Sequence, residues 1–107
     1  MIRHVVLVRF RADVPETERV AIRDALRDLD VGRPGTTAAY QGFAWGPDAS
    51  TEGLQRGFNA GFTIDFADAA ARDAYLADPG HGAAGARLVA AAEGGVDGLL
   101  VVDLDLG

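Results

Sequence analysis

The 107-residue chain has no cysteine, which excludes disulfides, thiolate catalysis and cysteine-bound metals. Aromatic side chains are scarce, at 7% of the chain, whereas glycine alone occurs 14 times, so packing must lean on close approach of elements rather than on bulk. Long apolar runs are missing near the N-terminus, where residues 5–8 are too few for a signal-peptide core or a membrane span. Positive charge is also in deficit. A net charge of -6 repels a phosphate backbone and argues against nucleic acid as a partner. These absences lead to the expectation of a cytoplasmic protein with no nucleic-acid or membrane partner. What remains, 49% hydrophobic and 24% charged residues, is ordinary globular composition, and the length suits a single domain over 1–107.

Hydrophobic periodicity divides the chain into alternating elements. Residues 3–10, "RHVVLVRF", read as a strand with His4, Val6, Val8 and Phe10 on one face and Arg3, Val5, Leu7 and Arg9 on the other. Residues 13–29 read as a helix: Pro15 suits its first turn, and Glu16 and Glu18 favour its positive end. "VGRPG", residues 31–35, ends it. A weaker strand is expected over 36–46, then a polar loop, then a clear strand in "FNAGFTIDFAD" with Phe58, Ala60, Phe62, Ile64 and Phe66 on one face. "AAARDAYLAD" reads as a second helix broken at Pro79, residues 82–93 as a third, short one, and "DGLLVVDLDL" as the last strand. Trp45, the only tryptophan, is expected at a dimer or loop edge.

Strand, helix, strand, strand, helix, strand is the split βαβ order. It predicts an α+β, ferredoxin-like fold with a four-stranded antiparallel sheet and helices on one face. The other face needs a cover too. Val5 and Leu7, taken with Leu99 and Val101, are assigned to the face opposite Val6, Val8, Leu100 and Val102. Two apolar faces on one sheet imply a second partner, and a homodimer closing two sheets into a barrel supplies one.

The stretches "MIRHVVLVRF", "STEGLQRGFNAGFTIDFAD", "RDAYLADPGH" and "LLVVDLDL" together make the chain resemble the stress-responsive dimeric α/β-barrel domain family. The resemblance implies a ferredoxin-like protomer and a homodimeric barrel. It also implies candidate roles, because one member is a plant polyketide cyclase that closes a poly-β-keto thioester without metal or cofactor. Its catalytic Tyr and His are matched by Tyr75 and His81. Its first-strand histidine is matched by His4, its last-strand aspartate by Asp103, and its pocket walls by Val6 and Val8. This chain departs from the pattern at Asp78 and Ala60, where histidines stand in relatives, and in the small-residue segment after His81.

An aldol closure needs a base to remove a proton between two carbonyls and a donor to hold the oxyanion that forms. A neutral imidazole suits the first task and a phenol in a water-poor pocket the second. His81 is therefore the candidate general base and Tyr75 the candidate donor, with His4 or Asp103 orienting ring or substrate. A plainer alternative stands beside this one: a His after Pro-Gly as a turn residue, and a Tyr at a helix end as a core plug. Function is then read as a cofactor-independent cyclase or lyase on a polyketide-like or other small, apolar carbonyl compound. The alternatives are a non-catalytic, stress-associated ligand-binding or structural dimer, and a cofactor-free monooxygenase. His4, His81 and Asp103 lack any short metal-ligand spacing, so neither metal nor cofactor is expected.

Overall fold

The computed structural model describes residues 1–30 and 41–107. Four strands and three helices follow in the order β1 (Ile2–Val8), α1 (Glu16–Arg27), β2 (Gln41–Pro47), β3 (Ala60–Phe66), α2 (Ala69–Leu76), α3 (Pro79–Ala91) and β4 (Leu99–Asp105). The sheet runs β2-β3-β1-β4, antiparallel throughout, which is the ferredoxin-like arrangement. None of the described helices is long and apolar enough to cross a membrane.

Local sequence explains most boundaries. Glu16 and Glu18 lie in the first turn of α1, with Pro15 one residue ahead of the helix rather than inside it. The helix gives way at Asp28 to a short 3-10 turn, and the expected stop signal at 31–35 lies outside the described residues, as does the 36–40 part of the second expected strand. At α2 the Asp68 carboxylate accepts a hydrogen bond from the Ala71 amide, a side-chain N-cap. The third helix starts three residues earlier than expected. Asp78 accepts from the Gly80 and His81 amides, and Pro79, whose fixed φ suits a first helical turn, follows it directly.

The core lies between the sheet and the helices. Val8 and Ile64 from the sheet and Ile22 from α1 are fully buried, joined by Leu26, Phe66, Val6 and Leu88. Trp45 belongs to this face and not to a loop edge. It stands opposite Phe62 across the β2–β3 pairing and stacks on that ring at 5.6 Å, with Phe10 6.0 Å away. Alternation within β2 decides its side, and the planar stack is favourable beyond its buried area.

The face assignment of β4 requires a correction. Antiparallel pairing sets Val6 opposite Val101 and Val8 opposite Leu99, so Leu99 and Val101 face the helices. Leu100 and Val102 pair with Leu7 and Val5 and occupy the open face. Four consecutive apolar residues, 99–102, fit either parity, and only the register with β1 selects one. The open face therefore carries Val5, Leu7, Leu100, Val102 and Leu104, the last three exposed on β4. Leu7 lies flat across Gly61, where a Cβ would come within 2.8 Å of its Cδ2 atom.

Candidate functional site

His4 sits at the third position of a β1 face that is otherwise apolar. The alternation that buries Val6 and Val8 carries the imidazole inward as well, and it is 3% exposed. A buried imidazole needs a partner. Asp103, its register partner on β4, supplies one: Oδ1 lies 2.7 Å from His4 Nδ1. A carboxylate only accepts, so Nδ1 is the donor. The other oxygen of Asp103 accepts from Arg72 NH1 at 3.1 Å. Arg72 also donates to Asp73 at 3.0 Å on its own helix.

His81 arrives from the opposite side, in the first turn of α3, with its backbone amide held by Asp78. Its ring centroid is 4.7 Å from that of Tyr75, edge to face, and Tyr75 is 5.9 Å from His4. The α2–α3 junction thus brings two side chains six positions apart together, with Tyr75 between the His81 ring and the His4 ring from β1. Burial pushes the His81 pKa below its ordinary value, the nearby His4 pushes in the same direction, and a hydrogen bond to the Leu76 backbone opposes both. His81 is accordingly a neutral base at neutral pH.

Both imidazoles line one pocket of about 300 Å³ between the sheet and α3, with Val6, Phe62, Leu88, Leu99 and Val101 among its apolar walls. That volume is at the lower end for small-molecule sites. Gly82 and Gly85 form part of the α3 wall, and a Cβ at either would meet no atom within 4 Å.

Of the residues expected from sequence, His4, Val6 and His81 line this pocket. Tyr75 is buried behind the two imidazoles, against Phe66 at 5.1 Å, and does not line it. Asp103 acts on the pocket through His4. Val8 is fully buried in the core and lies beyond the pocket wall. Arg72 carries no signal in the sequence, because an arginine in "AAARDAYLAD" reads as a solvated helix position until β4 is placed beside it. No group of three or more His, Cys, Asp or Glu side chains placed to hold a metal ion occurs among the described residues.

Known structures carry the same architecture. A dimeric ferredoxin-like protein of unknown function from Jannaschia sp. CCS1 is 34% identical, with 98% of each chain covered and a TM-score of 0.79. A protein with a ferredoxin-like fold from Mesorhizobium loti is 27% identical over 99% of this chain and 97% of that one, with a TM-score of 0.71. The hydroxynitrile lyase of Passiflora edulis shares the fold at 18% identity, TM-score 0.82, covering 99% of this chain and 93% of its own. No curated protein sequence matches the chain significantly. The model of the Stress responsive A/B Barrel Domain family matches residues 2–105, and with the ferredoxin-like sheet described above this chain belongs to that family.

Proposed function

We propose that the chain forms a homodimer of single-domain protomers, and that each pocket is a cofactor-independent active site for proton transfer on a small carbonyl compound, of the cyclase or lyase class. The observation that carries this reading is the pair of imidazoles lining one apolar pocket, His4 oriented by a carboxylate and His81 kept neutral by its surroundings. A largely apolar pocket that holds a neutral His81 imidazole suits removal of a proton between two carbonyls.

In the proposed step the free ring nitrogen of His81 takes that proton and the enolate carbon attacks a second carbonyl of the same molecule. For the Tyr75 hydroxyl to donate to the oxyanion it has to turn out from behind the imidazoles, and the imidazolium returns its proton to the resulting alkoxide. Nothing is oxidised or reduced, so no co-reactant is needed. Val6 gives the substrate an apolar wall, Val8 backs it, and Asp103 holds His4 in place.

The dimer reading rests on the open sheet face, whose apolar stripe needs a cover, and on the dimeric state of the 34%-identical Jannaschia protein. A second functional reading, ligand binding without turnover, has its own support: His81 is bonded to the Leu76 backbone and Tyr75 lies behind the wall. Trp45, on which a cofactor-free monooxygenase would depend, is outside the lining of the pocket.

A β-keto thioester series of increasing length, incubated with wild type and with His81→Ala, tests the proposal. Cyclised or cleaved product from wild type alone supports it. Saturable binding with no product from either protein establishes the ligand-binding reading instead.

A further inference from the structure

We infer that Arg72 is a positioning residue that holds Asp103 against His4 and so keeps that imidazole in the single form protonated on Nδ1, with Nε2 as proton acceptor. This assigns His4 as the second oriented base of the pocket, and in that functional sense it rests on the reading above.

The geometry is a chain of three side chains from three elements. Arg72 on α2 donates to Asp103 Oδ2 at 3.1 Å, and Asp103 on β4 accepts from His4 Nδ1 through Oδ1 at 2.7 Å. Each carboxylate oxygen thus has its own donor, which fixes the carboxylate plane as well as its position. Arg72 is itself held: its Nε and NH2 groups both lie 3.0 Å from Asp73 Oδ1, so NH1 is the part of the fork directed at β4. The network is not a loose surface pair. Arg72 and Asp103 have side chains only about a quarter exposed, at 25% and 26%, and His4 at 4% is sealed behind them.

Removing Arg72 leaves the partly exposed Asp103 with one oxygen unpaired and water within reach. Rotation of that carboxylate frees Nδ1, and a neutral imidazole without an imposed partner populates both tautomers. Arg72 also ties α2, which carries Tyr75, to β4. It therefore sets the distance between the phenol and both imidazoles.

The test is long-range ¹H–¹⁵N correlation of the histidine rings in the unliganded protein, at a pH well above the ordinary imidazole range. In wild type the His4 Nδ1 signal should fall at the protonated position and Nε2 at the unprotonated one. In Arg72→Leu the Nε2 signal should shift towards the protonated position, reporting a mixture, and Arg72→Lys should recover part of the wild-type pattern. Arg72→Gln, which removes the charge but keeps a polar chain, serves the same purpose if the leucine variant does not fold. A wild-type pattern in a folded Arg72→Leu or Arg72→Gln protein overturns the assignment. Because the spectrum is read without substrate, absence of turnover in wild type refutes the catalytic reading and leaves this test intact.

Discussion

His4 and Asp103, 99 residues apart in the chain, face each other across the β1–β4 pairing with 2.7 Å between Nδ1 and Oδ1. One ladder position therefore joins the start of the sheet to its end and orients an imidazole at the same time. A shift of β4 by one residue would turn Asp103 to the open face and leave His4 buried without its acceptor.

If His81 and Tyr75 carry chemistry, their substitution should separate activity from stability. His81→Ala and Tyr75→Phe should each lower turnover by about 10²–10⁴-fold, the usual range for general acid–base groups, with little change in melting temperature. Thermal unfolding beside the kinetics decides the matter. Loss of stability at unchanged activity in Tyr75→Phe would make the phenol a core plug.

The pH dependence of stability follows from the depressed pKa of His81, whose ordinary value is 6.5. Above 6.5 neither folded nor unfolded chain holds the proton, and the histidine contributes nothing. As pH falls through 6.5 the unfolded chain is protonated first, so the His81 contribution to stability declines until the folded pKa is also passed. Denaturant titrations across that window should show the decline, and His81→Gln should flatten it.

Charge placed on alternate residues of β4 should have opposite effects. Val102→Glu puts two carboxylates into the proposed dimer interface and should weaken association by roughly 10²-fold or more, given the cost of burying unpaired charge. Val101→Glu points into the pocket and should leave the dimer intact while abolishing ligand binding. Sedimentation velocity on the two variants reads the difference, and dissociation by Val101→Glu instead would reverse the faces given to this strand.

Gly85 lies within α3 against empty space, so Gly85→Ala should stabilise the protein by about 0.5–1 kcal/mol through helix propensity. Gly85→Leu should fill the pocket and block binding. Chemical denaturation and a ligand titration on both variants would show whether room for a ligand, rather than helix stability, explains this glycine.

Much of the fold was legible because β1 and β3 alternate strictly: Val6 and Val8, and Phe62, Ile64 and Phe66, are the buried sets that period two selects. The parity of β4 was not legible, since residues 99–102 are apolar on both faces and a long-range pairing chooses between them. Pro79 alone signals a helix break, whereas with Asp78 before it the same proline is the start of α3. In the site, His4 and His81 could be named from resemblance and chemistry. The bond from Arg72 to Asp103 could not, because it joins two positions 31 residues apart that only the finished sheet brings together.

The β4 strand has one further consequence. Leu99 and Val101 line the pocket while Leu100 and Val102 stand on the open face, so a single layer of backbone separates a bound molecule from whatever covers the sheet. A ligand that displaces this edge strand must change the free energy of association, and by thermodynamic reciprocity association must change ligand affinity by the same factor. Occupancy measured at two protein concentrations, above and below the dissociation constant of the dimer, would report that coupling directly.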